Sequence, residues 1–418
     1  MTVTPVLVSG YGRSGTTALM ALLATNPTVA FERRYPFENR HLTYLVKFCL
    51  LTNRPGPSSH VDSVQLSDYY DDHFGSVPWQ TAAPAAPALM PSSSDCFHAL
   101  WQAFSASARV TNDSLTHYAE KVPHWLPAVI RDDVPCRTIN LVRDPRDVFL
   151  SARDFARVRG AAGFGMDEGH SELDAARHTA HRWLSFAENA RADRTRTDTM
   201  TLRYEDMVQE PELSAARLSM FLGVRLVPGE APPEYFEAHR TSRDVGTSVG
   251  RWQREPLSDV VRNCLETQLR DCMGDYGYRV PGDAPMPSEI PVHPQDVFEG
   301  TIRVVEETVL ISVGADDFNI VLQPNPLRAT SMDEIWTCVQ GDTGDHCSIY
   351  WRGSGEAFSE ERCVHVAFRP GRHWQVLRFP MGKHPLWQDV VEQIRVDLFN
   401  GNVAPAAGGR LRWIRHVA

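Results

Sequence analysis

Val6 to Thr17 reads VLVSGYGRSGTT, an apolar run followed by a glycine-bounded loop that opens onto hydroxyl residues. Gly10, four residues, Gly15 and then Thr16 and Thr17 satisfy the pattern G-x-x-x-x-G-K-[ST] except at the lysine, where Thr16 stands. Such a loop turns backbone N–H groups and the positive end of a helix dipole toward one point, so it predicts an anion site. The lysine that is missing normally reaches the β- and γ-phosphates of a nucleoside triphosphate. The only cation in the loop is Arg13, three positions early. With Ser14, Thr16 and Thr17 it supplies one charge-assisted donor and three hydroxyls, suited to a terminal phosphate or sulfate.

The loop has the context it requires. Val6 to Val8 predict a buried strand, and from Thr16 the residues Ala18, Leu19, Leu22 and Leu23 form one apolar helical face that Pro27 stops. A short strand, TVAFE, then delivers Glu32 at its end. The stretch from Arg33 to about Pro91 carries helical patches such as LTYLVKFCLL but no clear order, and PAAPALMPSSSD reads as a loop. Asp95 is placed to cap the helix that follows it. Further on, a strand from Thr138 to Val142 runs into Arg143, Asp144 and Pro145, the start signal of a helix. A long helix around ELDAARHTAHRWLSFAENA, the strand TMTLRYED and the helix PELSAARLSMFLGV continue the alternation. Strands alternating with helices predict an α/β fold: a P-loop-type, doubly wound, mostly parallel sheet over residues 1–282. Residues 283–296 read as a proline-rich linker, and the period-two runs of residues 297–418 predict a smaller all-β sandwich.

Composition removes whole classes of function. A formal net charge of −10 excludes a broad basic surface for nucleic acid or anionic membrane, so any anion must be gripped locally. No stretch reaches the ~18 apolar residues of a membrane span, and neither a signal peptide nor an anchor is visible. The eight cysteines are scattered, without C-x-x-C and without Cys/His spacing suited to zinc, so a reducing cytoplasm is the expected location and no metal is assigned. Cys264 and Cys272 are expected on one helix, about 12 Å apart and unable to pair. Cys338 and Cys347 could face each other across a hairpin, with two reduced thiols the favoured reading.

A second cluster, LVRDPRDVFLSA, sets Arg143 at a strand end and Ser151 eight residues later on the succeeding helix. Ligands of open α/β sheets lie outside those strand ends, so both elements can face one crevice. Each residue alone has a plain structural reading, Arg143 as a partner of Asp144 or Asp147 and Ser151 as a helix serine. Together GYGRSGTT and LVRDPRDVFLSA resemble the paired signature of sulfotransferases that use 3′-phosphoadenosine 5′-phosphosulfate (PAPS), in the style of the carbohydrate and tyrosylprotein enzymes. The resemblance implies that Arg13, Ser14, Gly15, Thr16 and Thr17 hold the 5′-phosphosulfate and that Arg143 and Ser151 hold the 3′-phosphate. LRYEDMVQEPE resembles the family's next strand, with Tyr204 near the cofactor, and SVGRW resembles a covering loop, with Ser248, Arg251 and Trp252 as matches. Gly12-Arg13 replaces the more common Lys or Pro-Arg.

The same resemblance implies catalytic roles for Glu32 as base and Lys121 as the cation that, with Arg13, neutralises the transferring group. Glu32 could instead pair with Arg33 or Arg34, and Lys121 with Glu120. Glu38, His41 and His124 are rival bases. The expected acceptor is a hydroxyl or amine on a small molecule, glycan, glycolipid or natural product. Two alternatives stand beside this: a metal-dependent P-loop kinase using Asp144 and Asp206, and a non-catalytic glycan-binding protein whose sandwich does the work. The sequence leaves the oligomeric state open.

Overall fold

The computed structural model describes residues 2–32, 34, 37–51, 93–131, 134–159, 165–166, 169–229, 246–281, 288–293, 296–298, 300–305, 308–313, 318–323, 327–329, 332–342, 344–388, 390–400 and 408–417. The chain forms two compact units, 1–284 and 285–418.

In the first unit five parallel strands form one sheet: β1 (Thr4–Ser9), β2 (Val29–Ala30), β3 (His117–Val122), β4 (Arg137–Val142) and β5 (Thr199–Arg203), in the order β2-β3-β1-β4-β5. β1 lies in the middle and is buried on both faces, as a strand covered by helices on each side must be. Val6 and Val8 pack into one core with Leu19, Leu23 and Leu218, while Val3 and Leu7 pack into another with Trp101 and Leu126. Each such buried side chain contributes ~1.5–3 kcal/mol, so the strand that carries the loop is firmly held in register. Val8 lies beside Lys121 of β3, and Ser9 beside Asn140 of β4. The sheet order reverses at β1, and the crevice beyond the ends of β1, β3 and β4 is the expected ligand position.

The helices follow the sequence reading with local corrections. α1 spans Thr16–Leu23, α2 His41–Leu51, α3 Ser93–Thr111, α4 Leu126–Ile130, α5 Pro145–Arg159, α6 Glu172–Ala192, α7 Tyr204–Gln209, α8 Pro211–Leu222, α9 Asp259–Gln268 and α10 Arg270–Asp275. Asp95 is in the first turn of α3 and not its cap, where its charge still favours the helix dipole. β2 is shorter than TVAFE, so Glu32 follows the strand by two residues. Tyr204 opens α7 where the sequence pattern extends the strand. Cys264 and Cys272 occupy two helices broken at Leu269, and none of the eight cysteines forms a disulfide. Residues 52–92, with most of PAAPALMPSSSD, lie outside the described residues.

The second unit is a β-sandwich of antiparallel sheets. One runs β14 (Cys363–Ala367), β13 (His346–Arg352), β17 (Gln393–Asn400), β10 (Asn319–Leu322), β7 (Val297–Phe298). The other runs β15 (Gly371–Phe379), β12 (Glu334–Gly341), β18 (Gly408–Val417), β9 (Thr308–Val313), β8 (Gly300–Val305). Alternation explains it: Cys347, Ile349 and Trp351 of β13 and Ile394, Val396 and Leu398 of β17 enter the core, leaving Ser348, Tyr350, Arg395 and Asp397 on the other face. Ser288–Glu289 (β6), inside the expected linker, pair with Arg415 and His416 of β18. Cys338 and Cys347 lie on strands of different sheets and do not face each other across a hairpin.

Candidate active site

The loop after β1 takes the shape its sequence demands. Arg13 and Gly15 have φ of 70° and 96°, the left-handed region, and the Ser14 amide closes a turn on the Tyr11 carbonyl at 3.1 Å. A Cβ on Gly15 would enter the ring of Tyr204, so glycine is required both for the turn and for the close approach. The Ser14 hydroxyl is fully buried and has no partner among the described residues.

Arg13 and Arg143 bind the loop to the second cluster. Arg13 Nε donates to Ser151 Oγ at 3.3 Å, and its guanidinium lies 4.4 Å from the centre of the Phe155 ring. The chain thus brings Arg13, assigned by sequence to the first anion site, against Ser151 of the second. Arg143, buried, donates through Nη1 to the Arg13 carbonyl at 2.9 Å and through Nη2 to the Ser248 carbonyl at 2.6 Å, and stacks 4.5 Å from the centre of Tyr204. Tyr204 and Ser248 share a hydroxyl hydrogen bond of 2.8 Å. Trp183 Nε1 donates to the Arg143 carbonyl at 3.1 Å. Residues from four separate stretches therefore converge around Arg143, whose Nε is buried without a partner among the described residues.

The turns Gly246–Ser248 and Arg251–Gln253 are held by Asp147, which the sequence presents only as a candidate partner of Arg143. Asp147 accepts from the amides of Gly250 at 2.7 Å and Trp252 at 2.9 Å. Burial pushes its carboxyl above the usual range, against the pull of those amides and of Arg143. Arg251 is clamped by Asp154 and by Glu255, whose Oε1 accepts its Nε at 3.0 Å, and its Nη1 is buried without a partner among the described residues. Trp252 lies 3.6 Å from the Arg146 guanidinium. The only hint of this in the sequence is the acid-rich spacing of RDPRD and RDF, since the partners lie about a hundred residues away.

Beyond β3 two adjacent residues take separate tasks. Glu120 is not the solvated partner of Lys121: it is buried and accepts from the amides of Leu42 at 2.7 Å and Thr43 at 3.0 Å and from the Tyr118 hydroxyl at 2.9 Å, fixing the start of α2. Lys121, on the opposite face of the strand, donates to Thr17 Oγ1 at 2.9 Å and pairs with Glu38 at 3.5 Å. Burial first of all lowers the Lys121 ammonium pKa to about 8. Glu32 accepts from the amide and side chain of Arg34 at 2.9 and 3.0 Å, contacts that hold its carboxyl below the usual range. Of the rival bases, His41 is stacked on Phe104 at 4.4 Å, in the aromatic cluster with Tyr118.

The carboxylates a metal-dependent kinase would need are engaged elsewhere. Asp144 receives the Arg146 guanidinium at 2.7 and 3.0 Å, and Asp206 lies 3.6 Å from Arg203.

These features describe an α/β unit with a glycine-bounded loop and a cluster of basic side chains at the carboxyl ends of its central strands. The sequence profile of the Sulfotransferase family matches residues 5–228, more than half of the chain, and the chain belongs to that family. No curated protein matches it. Among solved structures, retinol dehydratase in complex with androsterone and the inactive cofactor PAP is similar at 18% identity, with a TM-score of 0.35, over 67% of this chain and 84% of that one. The sulfotransferase domain of the Synechococcus PCC 7002 olefin synthase is similar at 15% identity and a TM-score of 0.38, over 67% of this chain and 97% of that one. A xylan-binding module, CBM86 from Roseburia intestinalis, is similar at 8% identity and a TM-score of 0.22, over 30% of this chain and 90% of that one. Among the described residues no helix is long and apolar enough to cross a membrane.

Proposed function

We propose that the chain is a PAPS-dependent sulfotransferase acting on a hydroxyl or amine of a small molecule, glycan, glycolipid or natural product. The observation that carries this reading is the trio of buried donors with no partner among the described residues, Ser14 Oγ, Arg143 Nε and Arg251 Nη1, on three of the four segments that the family resemblance assigns to the cofactor. A buried donor left unmade costs ~1–3 kcal/mol, and an anion with two separated acidic ends would satisfy all three. When bound, PAPS supplies a sulfuryl group on a phosphate leaving group. The first-turn amides of α1, Ser14 and Thr17 would hold its 5′ end. Arg143, Ser151 and Arg251 would hold the 3′-phosphate, with Tyr204, Ser248 and Trp252 enclosing it. Lys121, within reach of Thr17, would neutralise charge building on the bridging oxygen. A carboxylate would remove the acceptor proton as the acceptor oxygen or nitrogen attacks and the phosphate leaving group departs with the electron pair of the bridging oxygen.

Glu32 is the proposed base, ionised at neutral pH as the role requires. Glu38 is a second reading, supported by its contact with Lys121. Eight cysteines, none in a disulfide, support a reducing, cytoplasmic location. The test is binding of adenosine 3′,5′-bisphosphate and 5′-AMP, without magnesium, to the wild type and to Arg143→Ala and Ser151→Ala. The bisphosphate should lose at least ~10-fold in affinity and 5′-AMP much less. Equal losses would remove these residues from the 3′-phosphate site, and no binding of the bisphosphate to the wild type would end the assignment.

A further inference from the structure

On the edge strand β14 of the sandwich, Cys363 and His365 stand two residues apart and so share a face, and the short turn Glu360–Arg362 brings Glu360 over them. One donor atom from each of the three lies within 4.8 Å of the other two. The geometry points to a site for a zinc-class divalent cation made of Cys363 Sγ, the His365 imidazole and the Glu360 carboxylate, with water in the fourth position. The sequence shows no such spacing, because a strand with a preceding turn needs neither a C-x-x-C nor a helical repeat.

Three observations support the site. Cys363 Sγ is 3.7 Å from His365 Nδ1, and two donors at ~2.3 and ~2.0 Å from a tetrahedral zinc stand roughly 3.5 Å apart. Glu360 is already oriented from behind, the Tyr350 hydroxyl donating to its Oε1 at 2.9 Å, while Ser348 Oγ, 2.8 Å from the same His365 Nδ1, would yield that nitrogen to the cation. An outer contact of this kind is what metal sites use to fix a carboxylate's direction. Glu360 and His365 are exposed while Cys363 is buried, so a cation has a way in and the exposed Glu360 arm can swing onto it. A thiolate, a carboxylate and a neutral imidazole would balance a dication, and sulfur with nitrogen selects zinc over magnesium or calcium. The cation would clip the turn to the edge strand; the residues proposed for the sulfuryl transfer lie in the first unit.

The test uses the full-length, tag-free chain after chelation, titrated with Zn²⁺ against a chromophoric chelator and separately with Co²⁺. The wild type should take up one equivalent of zinc, its melting temperature should rise with zinc, and cobalt should produce a thiolate charge-transfer band. His365→Gln and Glu360→Gln, both at exposed positions that leave the core intact, should each weaken zinc binding more than ~10-fold and remove the thermal shift, and Tyr350→Phe should weaken it ~10-fold. No zinc uptake by the wild type, or uptake unchanged in His365→Gln and Glu360→Gln, would overturn the site. Cobalt binding without the charge-transfer band would remove Cys363 from it.

Discussion

At the scale of single residues, Lys121 carries the sharpest expectation. Burial lowers its pKa from 10.5 to about 8, so the ammonium is present below pH 8 and lost above it. Affinity for adenosine 3′,5′-bisphosphate or PAPS, if Lys121 meets its anionic end, should be level below pH 7.5 and fall by up to ~10-fold per unit above pH 8. Over the same window the unfolded chain keeps a proton that the folded chain has released, so this lysine's contribution to folding stability rises with pH. Lys121→Met should abolish both trends while leaving the fold at least as stable; titrations and melts across pH 6–10 check this. The base is decided by two variants measured for turnover and cofactor affinity. Glu32→Gln should lower turnover by ~10²–10⁴ with affinity unchanged. If Glu32 only pairs with the exposed Arg34 the loss will be slight, and the fall should then appear in Glu38→Gln. The sequence exposed residues whose meaning is local: Gly15 for its turn, Arg143 and Ser151 for their spacing. It did not expose the tasks of Asp147, Glu120 or Asp154, because a buried carboxylate is defined by donors far along the chain, and by sequence alone it looks like any solvated acid.

At the scale of elements, Asp147 shows how α5 governs a loop it does not belong to. It touches no candidate ligand atom, yet it holds the amides of Gly250 and Trp252. Asp147→Asn keeps the shape but leaves one acceptor oxygen for two amide donors, so one charge-assisted bond, worth ~1.5–3 kcal/mol, becomes a weaker neutral one and the other is replaced by an NH2 facing an N–H. Affinity for adenosine 3′,5′-bisphosphate should fall ~10-fold or more with 5′-AMP less affected, as calorimetric titration of both nucleotides can show. The elements themselves were legible where hydrophobic period and start signals agreed, as in β1, α1, β4 and α5. They were misread where tertiary contacts set the boundary: Tyr204 joins a helix because its ring must lie against Gly15 and Arg143, and the helix through Cys264 and Cys272 breaks at Leu269, which is fully buried.

At the scale of the whole molecule, the residues of the sandwich core and those of the two cores flanking the parallel sheet form separate sets. Each unit can therefore unfold as its own cooperative body. Scanning calorimetry should show two transitions, and adenosine 3′,5′-bisphosphate at 100 times its dissociation constant should stabilise only one of them, by ~2.7 kcal/mol. A single transition, or a shift of both, would show that the units are thermodynamically coupled. The division into an α/β unit and a sandwich was legible from the change of hydrophobic period, whereas β6 was not, since two residues in a proline-rich stretch carry no period at all. The bonds of Arg143 to the carbonyls of Arg13 and Ser248 have a kinetic meaning as well. Loop, strand end and the turn at Ser248 are tied together by the protein's own bonds, so on the proposed reading little chain would have to be ordered at the moment of capture. The nucleotide should then enter at a rate set by encounter and by salt, in a single phase without a slow rearrangement, and differences among variants of this pocket should appear in how long the nucleotide stays.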